Sequence, residues 1–258
     1  IRSVEEGLKL DFPDAISNER KLFEECIESP QRQGLIHSFF AERANTKIPE
    51  LKEGKPIELN KIGIIGGGTM GTGISMAAMN AGFNVIMIEQ NDEAIQKAKA
   101  KITSTYDRSV KLNGITTEQK NKTMEMFSAT IDFSDLKDRD LIIEAVFENM
   151  DVKKEVFLKL NQICSQDCIL ASNTSYLNVN EIASVVDNPS RVIGLHFFSP
   201  ANIMKLLEVV VAEKTSKDTV STAFNLAKKM RKVPVRSGVC DGFIGNRILS
   251  KYLVGTYH

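Results

Sequence analysis

Hydrophobic positions divide the chain into two regions of different texture. Between residues 17 and 45, apolar pairs recur at helical spacing and are interrupted by Ser29-Pro30. Because Ser followed by Pro is a helix-start signal, this pattern predicts two short amphipathic helices. Residues 45–60 mix Lys, Glu, Pro and Gly without periodicity, which predicts a linker.

From Lys61 onward, short apolar runs alternate with helical patterns. The runs IGIIG, NVIMIE, DLIIEAVF, CILASN and RVIGLHFF read as buried strands, and a polar helical stretch of about residues 92–126 follows the second. Continuous apolar strands separated by helices predict a parallel sheet covered on both faces, the α/β class with a Rossmann-type doubly wound sheet. We expect a helical linker segment at 1–58, the α/β domain at 59–237 and the start of a C-terminal helical domain at 238–258.

Composition removes several classes of protein. The chain has 258 residues, of which 42% are hydrophobic and 26% are charged, so a packed core is expected. The 33 basic residues equal the 33 acidic ones, which leaves no net field to hold nucleic acid. No apolar run approaches the roughly 18 residues of a membrane span. The four cysteines have neither disulfide-framework nor metal-ligand spacing, so we expect reduced thiols and no metal site.

A glycine loop joins the first strand of the α/β region to a helix-forming run. Gly66, Gly68 and Gly71 form the pattern G-x-G-x-x-G, with Thr69 and Met70 inside it. The glycines allow a tight turn, the approach of a pyrophosphate to the backbone and close packing of helix on strand, while the helix start supplies N–H groups to the phosphates. This arrangement predicts a dinucleotide site.

An acidic residue then refines the choice of cofactor. Glu89 ends the next strand, 18 residues after Gly71, where a carboxylate can bind the ribose hydroxyls of an adenosine, with Gln90 beside it. A carboxylate at this point repels a 2′-phosphate, and no Arg occurs in residues 89–93. We therefore expect NAD rather than NADP. The alternative is a glycine turn that binds another ligand, such as a flavin or a nucleotide sugar.

One histidine is well placed for acid-base chemistry. His196 follows the strand RVIGL, and the carboxyl ends of parallel strands are where such folds bind ligands. An enzyme that oxidises an alcohol needs a base that titrates near neutrality. Glu208 lies in the apolar run MKLLEVV, where a buried carboxylate requires a partner, and His196 is the candidate. The alternatives are a structural histidine and a glutamate at a strand edge facing water.

Other polar residues stand at the same predicted edge of the sheet. The segment Ser172–Ser175 follows the strand CILA and offers hydroxyl and amide groups to a ligand, or simply caps a helix that begins near Asn178. Asn246 in GFIGNR could bond a substrate carbonyl or only begin a helix. Lys101 and Arg108 share a face of the helix after Glu89, where they would bind phosphates or face solvent.

Four motifs together identify a family resemblance. GIIGGGTMG, ASNTS, GLHFFSPANIMKLLEVV and GFIGNR, in that order over about residues 60–250, resemble the L-3-hydroxyacyl-CoA dehydrogenases of fatty-acid β-oxidation. The resemblance implies an NAD-dependent oxidoreductase that acts on an acyl-CoA substrate. It implies that His196 is the general base and that Glu208 is its electrostatic partner. Ser175 and Asn246 would hold the oxygens of the substrate.

The resemblance also extends to residues around the cofactor. Glu148 and Lys153 in AVFENMDVKK match positions that line the cofactor site, and Ser175 adjoins it. Ser199 falls where many members carry Asn, which leaves open how that position meets cofactor or substrate.

The N-terminal segment points to one branch of the family. SPQRQGLIHSFFAERANTK, residues 29–47, resembles the segment ahead of the dehydrogenase part in peroxisomal multifunctional enzymes of type 1. This implies a peroxisomal location, with the mitochondrion or cytoplasm as alternatives. The helical domain of the family would be largely missing, so we expect a truncated piece that binds NAD, turns over poorly and self-associates through its C-terminal helix.

Two other functions remain open from the sequence. One is a β-hydroxyacid or sugar-nucleotide dehydrogenase on the same fold, which typically uses Lys or Cys in the central role. The spacing from His196 to Glu208 argues against it. The other is a non-catalytic dinucleotide-binding module that has kept the fold.

Overall fold

The structure, a computed structural model, describes residues 1–256 of the chain. The chain divides after Lys47 into two compact units, residues 1–47 and the chain from Ile48 onward. Residues 257–258, the end of the C-terminal part expected from the sequence, lie outside the described residues.

The first unit is formed by three helices, α1 Arg2–Gly7, α2 Phe12–Glu28 and α3 Pro30–Ala44. Asp11 caps α2 and Ser29 caps α3, each accepting a backbone N–H of the first turn. Each cap satisfies a donor that the helix start would otherwise leave unpaired. The pair of helices on either side of Ser29-Pro30 is thus confirmed. None of the residues in these three helices is buried.

The second unit is built on a sheet of eight strands among the described residues. In spatial order the strands run β3-β2-β1-β4-β5-β6-β7-β8. All neighbouring pairs are parallel except β6 and β7. The strands are β1 Lys61–Ile65, β2 Asn84–Ile88, β3 Phe127–Thr130, β4 Leu141–Glu144, β5 Ile169–Ser172, β6 Val192–Phe197, β7 Leu206–Val211 and β8 Val233–Gly238.

Helices cover both faces of this sheet, as the doubly wound class requires. Side chains alternate along each strand, so Ile193 and Leu195 of β6 enter one core cluster and Val192 enters the other. The helices of the second unit are α4 Pro49–Glu53, α5 Thr69–Asn80, α6 Asp92–Lys111, α7 Thr117–Met124, α8 Met150–Ile163, α9 Val179–Ala183, α10 Lys217–Lys229 and α11 Gly245–Thr256. Helices α5, α6 and α10 contribute to the first cluster, and α8 and α9 contribute to the second.

Three features of the sheet differ from the all-parallel pattern that the apolar runs indicate. The edge strands β3 and β8 were not among those runs, because β3 is only partly buried and β8 contains Pro234, which is tolerated at an edge. Strand β7 runs antiparallel to β6. The connection between them, residues 198–205, is shorter than the dozen or so residues that a parallel crossover needs.

The segment expected to be a linker as far as residue 58 is also partly structured. Its residues 48–58 belong to the second unit, where α4 packs against α10. The N–H of Lys55 donates to Asp218 Oδ1 at 2.7 Å, and the N–H of Ile57 donates to Thr222 Oγ1 at 3.0 Å. Side chains of α10 therefore fix a stretch that lacks periodicity of its own.

Within residues 1–256, no helix combines the length and apolar character needed to cross a membrane.

Candidate active site

The glycine loop lies between β1 and α5, as the sequence predicts. Gly66 has φ = 95°, a left-handed conformation that disfavours a side chain. A Cβ on Gly71 would collide with the carbonyl oxygen of Gly66, so the first turn of α5 can approach the loop because both residues are glycines. The backbone is thereby folded tightly at the carboxyl end of β1.

The start of α5 is open towards a ligand. Gly68 is the N-cap of the helix and provides no side-chain cap, and a Cβ placed on it would meet nothing within 4 Å. Thr69 and Met70 form the first turn, and the Lys101 ammonium donates to Thr69 Oγ1 at 3.2 Å. Uncapped N–H groups, the helix dipole and a nearby ammonium all favour an anion, so this loop fits the phosphates of a dinucleotide.

Glu89 lies beside the same loop. Its Oε1 accepts the backbone N–H of Gly67, and its Oε2 accepts the N–H of Gln90 at 3.0 Å. Glu89 and Gln90 line a cavity of about 460 Å³ together with Gly66 and Gly68. The acid, the glycines and the apolar wall of this cavity, which includes Phe147, fit the adenosine half of NAD.

His196 and Glu208 face each other directly across the antiparallel pair β6 and β7. His196 Nδ1 lies 2.6 Å from Glu208 Oε2, and the two residues are 4% and 0% exposed. Because an ionised carboxylate can only accept, Nδ1 carries the proton in this bond and Nε2 is the nitrogen left to exchange a proton with a ligand. The predicted pairing is therefore present in the structure.

Glu208 is held by more than the imidazole. Its Oε1 accepts the N–H groups of Ile244 at 3.0 Å and of Gly245 at 2.7 Å, where α11 begins. Burial pushes the pKa of the Glu208 carboxyl upward, but the hydrogen bonds from His196 and Gly245 outweigh it and hold the pKa below its ordinary value. The carboxylate thus remains charged beside His196.

Two aromatic rings flank His196. The Phe198 ring lies 4.5 Å from the imidazole, measured between ring centroids, and the Phe243 ring lies 5.7 Å away. Phe197, between the histidine and Phe198, donates its N–H to Asn173 Oδ1 at 2.9 Å. These contacts fix the strand end that carries the histidine.

The turn after β5 is organised around Glu148. Its Oε1 accepts Thr174 Oγ1 at 2.5 Å and the N–H groups of Ser175 at 2.8 Å and Tyr176 at 3.2 Å. Burial raises the pKa of Glu148, but the bonds from Thr174 and Ser175 and the charge of Lys153 lower it by more. Glu148 therefore acts as a charged anchor for the Ser175 backbone.

Lys153 lies underneath this turn, and its side chain is 1% exposed. Its ammonium contacts Glu144 Oε1 at 2.6 Å and Glu148 Oε2 at 3.3 Å. Glu144 Oε2 also accepts Ser172 Oγ at 2.7 Å. Lys153, which the family resemblance assigns to the cofactor site, thus belongs to a buried ion network beneath that site. Glu148 is the more accessible member of the network.

Asn246 lies next to the turn that contains Ser175. Its Nδ2 lies 3.5 Å from the carbonyl oxygen of Ser175, a long contact, and it follows Gly245, which bonds Glu208. The structure therefore brings Ser175, His196, Glu208 and Asn246 to one end of the sheet. Ser199 is exposed on the loop after β6. Arg108 is exposed on α6, and its side chain forms no ion pair within residues 1–256.

Sequence reasoning did not identify Glu144. Glu144 ends the apolar strand LIIE, the same signal that drew attention to Glu208, namely one acid inside an apolar run. Asn173 was included only as part of the segment after CILA. Within residues 1–256, no group of three or more His, Cys, Asp or Glu side chains is arranged to hold a metal ion.

Known proteins are similar to this chain in sequence. Residues 61–240 match the family described as 3-hydroxyacyl-CoA dehydrogenase, NAD binding domain. The chain is 38% identical over 256 residues to the peroxisomal fatty acid beta-oxidation multifunctional protein of Oryza sativa subsp. japonica, covering 98% of this chain and 35% of that protein. It is 39% identical over 249 residues to the peroxisomal bifunctional enzyme of Danio rerio, covering 95% of this chain and 34% of that protein.

A solved structure extends the comparison to the fold. The dehydrogenase part of multifunctional enzyme 1 from C. elegans superposes with a TM-score of 0.72 at 33% sequence identity, covering 86% of this chain and 53% of that one. The chain spans about a third of the length of the curated relatives it matches.

The lowered pKa of Glu208 gives a testable pH dependence. Its unfolded value is near 4.5 and its folded value is lower, so its stabilisation is complete above pH 4.5 and is lost as the pH falls through the folded value. We expect urea unfolding to show a shallower loss of stability between about pH 5 and pH 3 for Glu208→Gln than for the parent chain. Glu213→Gln, an exposed change just after β7, is the control. An equally steep loss of stability in the parent chain and in Glu208→Gln over this pH range would contradict the lowered pKa of Glu208.

Proposed function

The chain belongs to the 3-hydroxyacyl-CoA dehydrogenase family and carries its NAD-binding domain, and from that premise we propose that it serves the oxidation of L-3-hydroxyacyl-CoA to 3-ketoacyl-CoA. The observation that carries the proposal is the buried 2.6 Å hydrogen bond between His196 and Glu208, in the same domain as the glycine loop. One curated relative is named for peroxisomal fatty acid β-oxidation and another as a peroxisomal enzyme. We extend the proposal to β-oxidation in the peroxisome.

The acid-base step falls to His196. Its Nε2 would accept the proton of the substrate 3-hydroxyl, and the imidazolium so formed would be stabilised by the charged Glu208 carboxylate 2.6 Å from Nδ1. NAD, when bound, supplies the acceptor for the hydride that leaves C3 in the same oxidation. One proton and one hydride thus leave the alcohol, which becomes a ketone.

Positioning of the substrate would fall to Ser175 and Asn246. The backbone of Ser175 is anchored by Glu148, and Asn246 lies next to the turn that contains Ser175. Their hydroxyl and amide groups can hold the substrate oxygens so that the 3-hydroxyl meets His196, which lowers the entropic cost of reaction. Ser199, two residues beyond Phe197 on the exposed loop, would meet cofactor or substrate there.

A basic surface away from the histidine could receive the phosphates of the acyl-CoA. A cavity of about 520 Å³ between α5, α6 and the end of α10 is lined by the cations Lys205, Lys229, Arg231 and Lys232, and its described lining contains no carboxylate. Lys205 lies three residues from Glu208, about 10 Å along β7. Lys101 and Arg108 on the exposed side of α6 would extend this surface.

A second candidate is a NAD-binding module that does not turn over acyl-CoA by itself. The exposed apolar side chains of α11, among them Ile248, Tyr252 and Val254, favour it because they adjoin Asn246 and offer a surface for a further element or a second copy of the chain. Binding of NADH without turnover would support this candidate.

Glu89 should select the cofactor. We expect NADH to bind at least ten-fold more tightly than NADPH, a difference of about 1.4 kcal/mol, because the Glu89 carboxylate repels a 2′-phosphate. Glu89→Ala should narrow the difference, measured by fluorescence titration of both cofactors. Glu93→Ala, an exposed change in the first turn of α6, is the control. Equal affinities of the parent chain for the two cofactors would contradict the prediction.

His196 should carry turnover but not cofactor binding. In the full-length protein, His196→Gln should lower the rate of acetoacetyl-CoA reduction by NADH about 100-fold or more, while the dissociation constant of NADH changes little. His37→Gln, on the exposed surface of α3, is the matched control. Turnover of His196→Gln within a few-fold of the parent would remove His196 from the mechanism.

The basic surface should affect the substrate more than the cofactor. Charge reversal at Arg108 or Arg231 should raise the KM for acyl-CoA and leave that for NADH unchanged, and added salt should reduce the effect. Lys101→Glu should also weaken NADH binding, since its ammonium contacts Thr69 at the phosphate loop. Lys228→Glu, exposed at the end of α10 but outside the cavity lining, is the control. An unchanged KM for acyl-CoA at low salt would leave these cations as solvated surface.

A further inference from the structure

Lys232 is a buried lysine that the proposed chemistry does not use. It is 8% exposed, although lysine side chains are almost never buried without partners. Its ammonium donates to the carbonyl oxygens of Ala201 at 2.5 Å and Met204 at 2.7 Å. Within residues 1–256 it forms no ion pair with a carboxylate, and burial lowers its pKa. Both hydrogen-bond acceptors of this buried ammonium lie in the loop between β6 and β7.

The backbone around Lys232 directs it towards that loop. Arg231, two residues beyond the end of α10, has a left-handed conformation with φ = 56°, and the N–H of Lys232 donates to the carbonyl of Ala227 at 2.8 Å. Strand β8 then begins at Val233, whose N–H donates to the carbonyl of Lys205 at 2.8 Å. The chain therefore turns at Arg231 and brings the next side chain beneath residues 201–204.

The loop that Lys232 holds also packs against α5. Ala201 is 1% exposed, and a Cβ placed on Gly73 of α5 would lie 3.1 Å from both its nitrogen and its Cβ. Inside the loop, the N–H groups of Ile203 and Met204 both donate to the carbonyl of Pro200 at 2.9 Å. The loop thus contacts both the helix that starts at the glycine loop and the ammonium of Lys232.

This loop begins at the residues that surround His196. Phe198, its first residue, contacts the imidazole ring, and a Cβ on Gly245 would lie 2.8 Å from the Phe198 ring. Ser199 follows Phe198 and is exposed. A shift of the Ala201 to Met204 segment would therefore move Phe198 and Ser199, which lie two or three residues away along the chain.

We propose that Lys232 is a positioning residue, whose ammonium binds two backbone carbonyls and holds the loop of residues 198–205 in the geometry that the His196 site needs. The proposal rests on the proposed dehydrogenase function for its kinetic consequence. Its structural consequence can be measured without substrate. Among the described residues, Lys232 forms no hydrogen bond with His196, so it would act on the site through the loop.

The first experiment measures hydrogen exchange by mass spectrometry on the chain as it stands. In Lys232→Met, which keeps the length of the side chain and removes the donor, peptides spanning residues 198–205 should exchange about ten-fold faster, while peptides of α6 exchange as in the parent. Lys232→Arg, which keeps a charged donor beside the 520 Å³ cavity, should restore slow exchange. Lys228→Met, exposed at the end of α10, is the matched control.

The second experiment measures kinetics in the full-length protein. Lys232→Met should lower kcat for acetoacetyl-CoA reduction about ten-fold or more, because misplacing groups around the reacting histidine by about 1 Å slows the reaction strongly. The KM for NADH should remain within two-fold of the parent value, and Lys232→Arg should recover most of kcat. A merely structural lysine would lower the melting temperature and leave kcat unchanged.

The outcomes separate the inference from the function on which it rests. Unchanged loop exchange and kcat in a folded Lys232→Met variant would overturn the inference. If Lys232→Met does not fold, Lys232→Gln is measured instead. Its amide is uncharged and ends one bond short of the position of the ammonium, so parent-like exchange and kcat in that variant would equally overturn the inference. An inactive parent protein would contradict the proposed function. Faster loop exchange in Lys232→Met would still support the inference that Lys232 holds the loop of residues 198–205.

Discussion

The carboxylate of Glu208 connects three parts of the second unit that are distant in sequence. One oxygen binds the imidazole of His196 on β6, and the other binds the N–H groups of Ile244 and Gly245 at the start of α11. A buried carboxylate is costly unless its oxygens are bonded, so these donors are required rather than incidental. Removing any of them would expose the remaining charge to an apolar strand. The histidine, the strand end and the helix start are held together by this requirement.

A second buried carboxylate organises the neighbouring strand ends by the same principle. Glu144 at the end of β4 binds Lys153 of α8 and Ser172 of β5, and Lys153 in turn approaches Glu148. Glu148 then binds the turn that contains Ser175. Glu144 and Glu208 both lie in otherwise apolar strands. Because a buried charge requires hydrogen-bond partners, each of them fixes the positions of its donors at the carboxyl end of the sheet. The polar cluster is consequently assembled on rigid strands, with loops supplying the residues at its rim.

Much of this arrangement could be anticipated from local sequence. The glycine spacing around Gly66 and Gly71 predicts a tight loop because only residues without Cβ fit there, and the structure has a left-handed Gly66 and no room for a Cβ at Gly71. The single acid in MKLLEVV predicts a buried partner because charge in an apolar strand is costly. The apolar runs do not predict strands β3 and β8, because these edge strands are only partly buried and lack a continuous apolar run. Helix α4 escaped because its five residues are fixed by contacts with α10.

Local patterns in the sequence predict the doubly wound class, the glycine loop with Glu89 and the polar residues that end the central strands, since these depend on side-chain size and polarity over short spans. Which of those residues meet depends on the folded sheet. His196 and Glu208 face each other because the short connection 198–205 reverses β7 and sets the register that pairs them. Lys153 lies beneath the site because α8 packs it against Glu144. Register and helix packing depend on the whole sheet, so the local pattern makes His196 the candidate partner of Glu208 but does not give the geometry in which the two meet.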